Sequence, residues 1–167
     1  MRANLKIELT GAGGEILAVR CASNSVMQAG AKMIAGLFAG SGKGITHMGV
    51  GISDTPESDS FSTAALSNDA DTGNDPLTGA VESAIAADAF QIELDETRRV
   101  IRVRVRGTMP ADAAVGTVRE AGLVSHNADK VVLYNRVTFA PLTKGNDHEL
   151  TLFWEINFPY GHLQGVF

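Results

Sequence analysis

His148-Glu-Leu-Thr-Leu-Phe-Trp-Glu-Ile-Asn-Phe158 decides the fold class. Leu150, Leu152, Trp154, Ile156 and Phe158 alternate with Thr151, Phe153, Glu155 and Asn157, the two-residue period of a strand that buries one face. Working back toward the N-terminus, Thr143-Lys-Gly-Asn-Asp147 is a polar turn, Val131 to Phe139 a penultimate strand, and Asn127-Ala-Asp-Lys130 another turn. Thr117 to Val124 is a further strand, preceded by Met109 to Val115, whose Pro110 and alanines interrupt the sheet. In Arg98 to Arg106, Ile101, Val103 and Val105 alternate with Arg102, Arg104 and Arg106. Asp95-Glu-Thr97 reads as the hairpin turn that joins this run to Ala89–Leu94, where Phe90, Ile92 and Leu94 share a face.

The N-terminal part opens with a hairpin. Leu5, Ile7 and Leu9 alternate with Lys6 and Glu8, and Gly11-Ala-Gly-Gly14 turns the chain into Glu15 to Arg20. A helix over 24–40 follows, with Ser25 and Gln28 spaced as a capping box and Val26, Met27, Gly30, Met33, Ile34, Leu37 and Phe38 as its apolar stripe. Ile45 to Ile52 is a short strand. Residues 53–79 are polar, with Pro56 and Pro76, and are expected to leave the sheet as an extended loop ordered by a neighbouring subunit or partner. About eight strands and one helix are most simply buried as a mainly β, two-layer antiparallel β-sandwich. The expectation is therefore a single domain over 1–167, with a polar tail at 159–167.

Composition narrows the function classes. With 167 residues, 44% of them apolar, the chain can bury one core. Its 14 basic against 19 acidic residues, a formal charge of −5, do not attract phosphate backbones, so no direct nucleic-acid role is expected. No apolar run reaches membrane-spanning length and the N-terminus lacks the core of a secretory signal, so folding in the cytoplasm without membrane insertion is expected. The single Cys21, among Ala18, Val19 and Ala22, reads as a small buried residue.

The glycine-rich stretches fail as phosphate cradles. In Gly11 to Gly14 the third glycine of a dinucleotide fingerprint would fall on Ile16. In Gly40-Ser-Gly-Lys-Gly44 a P-loop would need glycine at Leu37 and a hydroxyl residue at Gly44. Asp69-Ala-Asp-Thr-Gly-Asn-Asp75 spaces carboxylates like a calcium loop, but Asn74 and Ala80 stand where Gly and Glu belong, which leaves Asp69, Asp71 and Asp75 as weak cation candidates. His47, His126, His148 and His162 are scattered and show no metal-ligand spacing. Ser125 adjoins His126, but strand neighbours point to opposite faces and make no nucleophile and base pair. No catalytic residue and no cofactor is expected, and the chain reads as a non-enzyme.

Charge is strongly segregated. Residues 45–97 contain eleven acidic residues and no Lys or Arg, whereas Arg98, Arg99, Arg102, Arg104 and Arg106 follow within nine positions. One reading is a solvated acidic loop beside an arginine-lined strand. The other is complementarity between copies, with Asp54, Glu57, Asp59, Asp69, Asp71 and Asp75 of one subunit meeting the arginines of the next. No aromatic residue interleaves with these arginines to form a nucleic-acid platform.

Several segments, taken in order, resemble tailed-bacteriophage and prophage virion proteins of the tail, collar or fibre-associated kind. They are Asn24-Ser-Val-Met-Gln-Ala-Gly-Ala-Lys-Met-Ile34, Ile45 to Gly51 with the Thr/Pro/Ser-rich stretch after it, Gly116-Thr-Val-Arg-Glu-Ala-Gly-Leu123, Arg136-Val-Thr-Phe-Ala-Pro-Leu-Thr-Lys144 and Glu149 to Phe158. The resemblance implies a structural virion component of the tail, neck or collar, or fibre-attachment region. It also implies assembly with copies of itself and with other virion proteins, after folding in the host cytoplasm. The alternative is a receptor- or carbohydrate-binding adhesion β-sandwich, which would need exposed aromatic residues; Trp154 alternates with the buried set, leaving Tyr134 and Tyr160.

Overall fold

A computed structural model describes residues 2–70, 73–128 and 130–161. The described residues are mainly β, with one α-helix and an antiparallel sheet curled into a half-barrel. β1 (Arg2–Thr10) and β2 (Ile16–Val26) form the expected hairpin, and Gly14 takes the left-handed backbone (φ 84°) that the turn requires. Then come α1 (Gln28–Phe38), β3 (His47–Gly51), β4 (Glu82–Ala84), β5 (Phe90–Asp95), β6 (Val100–Met109) and β7 (Gly116–Asn127). β8 (Lys130–Leu133), β9 (Asn135–Lys144) and β10 (Glu149–Pro159) follow. The strand path is β4-β3-β7-β9-β2-β1-β10-β6-β5, with β8 paired to β7.

β10, read from the sequence as the last strand, lies inside the sheet between β1 and β6. Its alternation decides what it buries: Leu150, Leu152, Trp154 and Ile156 are all at most 5% exposed. Trp154 is in register with Leu5 of β1 and Val105 of β6, so one apolar row crosses three strands. The curl brings distant strands together. Met48 of β3 packs where a side chain on Gly107 of β6 would stand, and the Ser83 hydroxyl of β4 donates to the Thr108 carbonyl of β6 (3.3 Å). Each large apolar side chain buried between these flanks contributes about 1.5–3 kcal/mol.

Several local expectations change. The helix begins at Gln28 instead of residue 24, because Ser25 and Val26 pair with Arg136 and Asn135 as the last residues of β2. Met27 is the N-cap and no side chain caps the helix, so the Ser25/Gln28 capping box does not form. At its other end, Leu37 and Phe38 of the expected buried stripe point into solvent, Phe38 being 91% exposed. The run from Val131 to Phe139 breaks into β8 and β9 at Tyr134, whose carbonyl accepts the Met27 amide (3.0 Å). Cys21 is exposed, because alternation along β2 sets it opposite Lys6 on the polar face.

Residues 53–79 lie outside the strands of the sheet; their described residues include a 3-10 turn (Glu57–Asp59) and an isolated bridge from Thr78 to Val115. Contacts within the chain hold parts of this loop. Leu77 is buried, Asn68 exchanges two hydrogen bonds with the Leu77 backbone (2.7 and 3.0 Å), and the Asn74 amide donates to the Ile52 carbonyl (3.0 Å).

Candidate functional site

The face of β2, β1, β10, β6 and β5 opposite the core carries most of the chemistry. The register sets Arg104 beside Glu155 and Gln91, and Arg102 beside Asn157 and Glu93, so two rows of polar side chains cross the sheet. Arg102, only 14% exposed, holds Asp95 at 2.8 Å, Glu155 at 3.5 Å and Glu93 at 3.8 Å. Arg104 reaches Glu155 at 3.2 Å and Glu93 at 3.4 Å. These arginines therefore already have carboxylate partners in their own chain. Desolvation works to raise the Glu155 carboxyl, yet the Asn157 amide with Arg104 and Arg102 outweighs it and holds the group below its ordinary value. The Arg98 backbone N–H, with Arg102 and the Arg98 side chain, likewise holds Asp95 low.

Arg98, Arg99 and Arg106 are exposed. Arg98 stands 4.0 Å from Asp95, and Arg99 has a left-handed backbone (φ 52°) in the β5–β6 turn. Arg106 lies over the Phe153 ring at 5.6 Å from its centroid, with Lys6 at 5.8 Å. A groove of about 780 Å³ opens here, lined by Asn4, Lys6, Cys21, Arg104, Arg106 and Phe153 among others. Its size suits a small ligand, and its lining offers one aromatic face beside amide and guanidinium donors.

The acidic loop lies elsewhere, against β3, β7 and β9. Glu120 of β7 and Arg136 of β9 form a fully buried ion pair, 0% and 3% exposed. Glu120 also accepts the Ser67 amide (2.7 Å), and Arg136 donates to the Thr55 carbonyl (2.9 Å), so the pair fastens the loop to the sheet. The Glu57 carboxylate accepts the Thr138 amide of β9. Asp54, Asp59, Asp69 and Asp75 are exposed, and Asp71 lies outside the described residues. Sequence reasoning missed the Glu120–Arg136 pair, although a charged residue inside each of two apolar strand patterns was its signal.

A second missed cluster lies on β3, β4 and β7. The His47 and His126 rings stack with centroids 4.0 Å apart, and Glu82 holds His126 Nε2 at 2.6 Å. The Thr46 hydroxyl meets His47 Nδ1 at 2.8 Å and accepts the His126 backbone N–H at 2.8 Å. Hydroxyl and carboxylate are thus held by different imidazoles, and no single hydroxyl–imidazole–carboxylate relay forms. Ser125 instead donates to the Gly44 carbonyl (2.7 Å). Strand pairing creates this cluster from residues up to 80 positions apart (Thr46 and His126), which spacing along the chain does not reveal. His148 accepts the Gly145 amide in the β9–β10 turn (3.0 Å), and His162 lies outside the described residues. Among the described residues no group of three or more His, Cys, Asp or Glu side chains is placed to hold a metal ion, and no helix is long and apolar enough to cross a membrane. In comparisons with known proteins, no family model, no curated protein and no solved structure matches the chain.

Proposed function

We propose that this protein is a non-enzymatic structural component of a tailed-phage virion, in the tail, neck or collar, or fibre-attachment region, where it assembles with copies of itself and with other virion proteins. The observation that carries this reading is large apolar side chains left exposed at separate places: Ile16, Leu17 and Val19 on β2, Leu37 and Phe38 ending α1, and Ile92 and Leu94 on β5. A subunit that touches several neighbours needs several apolar surfaces, and these side chains offer them. The exposed Arg98, Arg99 and Arg106 would face the exposed Asp54, Asp59 and Asp75 of a neighbouring copy, with charge selecting register and apolar burial supplying affinity. On this reading the two flanks of the curled sheet serve as the two layers of a sandwich, supported by the packing of Met48 on Gly107. Mass spectrometry of gradient-purified particles from producing cells tests it. The chain should be present in a fixed multiple per particle, and its absence from intact particles refutes the proposal.

The groove at Phe153 favours a second reading, adhesion through carbohydrate, because a sugar ring stacks on an aromatic face while amides and guanidiniums bind its hydroxyls. Nuclear magnetic resonance titration with acidic and neutral oligosaccharides checks it. Shifts confined to the groove and lost in Phe153→Ala support adhesion, and their absence removes it.

A further inference from the structure

We propose that β5 joins two copies of this chain, its strand pairing antiparallel with β5 of a second copy across a two-fold axis. The inference rests on the self-assembly reading above and names the surface that performs it. β5 ends the strand path, and among the described residues it pairs with β6 alone. One side of its backbone therefore offers N–H and C=O groups to another strand.

Side-chain placement makes this edge unusual. Phe90 packs against the core, and the same face continues outward to Ile92 and Leu94, which are 71% and 57% exposed. The register extends this face inward as two rows, Ile92–Val103–Ile156 and Leu94–Ile101–Phe158. The core surface thus runs past its own cover to the rim of the sheet. Edges are ordinarily guarded by charge. Here the guards are Glu93 and Asp95, and both are engaged by cations of their own sheet: Arg102 lies 2.8 Å from Asp95 and Arg104 lies 3.4 Å from Glu93. The repulsion that would hold two β5 strands apart is thereby muted.

The sequence of β5 also selects a register. Directly opposed residues of an antiparallel pair share a face, so the apolar faces of two copies merge only if residues of like parity oppose. Centring the axis on Ile92 sets Ile92 against Ile92, Phe90 against Leu94 and Gln91 against Glu93. Centring it on Glu93 would oppose two carboxylates, and centring it on Gln91 would leave Leu94 without an apolar partner. The Ile92-centred register alone satisfies both faces.

Sedimentation of the full chain over a concentration series tests the interface, with Ile92→Lys as the disrupting variant. Ile92 is exposed, so far-UV circular dichroism and the denaturant midpoint, both taken at a dilution where each chain is monomeric, should not change, while two lysines facing across the axis should weaken association about tenfold or more. In a Cys21→Ser background, Ile92→Cys should form a disulfide dimer on mild oxidation and Leu94→Cys should not, because only the residue on the axis faces itself at disulfide range. Wild-type association that Ile92→Lys leaves intact, or equal cross-linking at both cysteines, overturns the β5 interface while self-assembly stands. A wild-type chain that sediments as a monomer at every concentration overturns both.

Discussion

Removing Glu120 should strand a buried guanidinium and loosen the loop over 53–79 together. Arg136 is 3% exposed and would keep only its bond to the Thr55 carbonyl, while the Ser67 amide would lose its acceptor. Breaking one side of a buried ion pair costs about 3–5 kcal/mol, a large part of the roughly 5–15 kcal/mol that stabilises an ordinary domain. For a chain of this size Glu120→Ala should lower the melting temperature by about 6–20 °C. Urea denaturation of Glu120→Ala, Arg136→Ala and a double Glu120→Leu/Arg136→Leu variant forms the assay. The double should cost less than the two singles together by about 1–3 kcal/mol, because no uncompensated charge remains. Hydrogen exchange supplies the local readout: the Ser67 and Ile52 amides, bonded to Glu120 and to the Ser67 carbonyl, should exchange faster in Glu120→Ala. Singles that each cost under about 0.5 kcal/mol, and that add, would refute the argument that this pair is desolvated and fastens the loop.

Other perturbations address the core, the helix and the polar face. Trp154→Ala, at a site 1% exposed between Leu5 and Val105, should cost about 3–5 kcal/mol in denaturant melts, and a loss below about 1 kcal/mol would mean the indole is not the central core residue. Gly30→Ala should destabilise by about 1–3 kcal/mol although alanine is the better helix former, because its methyl would collide with the Tyr134 carbonyl; a stabilised variant would show that α1 is free to shift. The Asp95 and Glu155 carboxyls are held below their ordinary values of 3.8 and 4.5, so their contribution is present above those values and is lost as pH falls through the lowered ones. Acid titration of stability should therefore show a steeper fall for wild type than for Arg102→Ala, and parallel curves would count against the Arg102 network.

Much of the β architecture was legible because alternation is local. The β1–β2 hairpin, the arginine and valine alternation of β6 and the buried row of β10 follow from neighbours two residues apart, and the polar character of 53–79 placed it outside the sheet. Alternation states which side chains share a face. It does not state what covers that face. Phe90, Ile92 and Leu94 have one pattern, yet the curl of the sheet covers the first and leaves the other two in solvent. Likewise β2 overrides the helical pattern at Ser25 and Val26 because β9 offers backbone partners there, a pairing between residues more than a hundred positions apart along the chain.

The candidate contact surfaces divide along the same line. The sequence by itself determined the strand class, the segregation of acidic and basic residues, and the sharing of one strand face by Arg102, Arg104 and Arg106, since each depends on composition or on the two-residue period. Tertiary structure decided that Arg102 and Arg104 meet carboxylates of their own sheet, that Glu120 and Arg136 bury each other, and that His47 stacks on His126 beside Glu82. It also set β5 at the rim with its apolar face open. The reason is physical: burial and ion pairing depend on which strands become neighbours, and in an antiparallel sheet of this order those neighbours are chosen by long-range pairing that no local window of sequence contains.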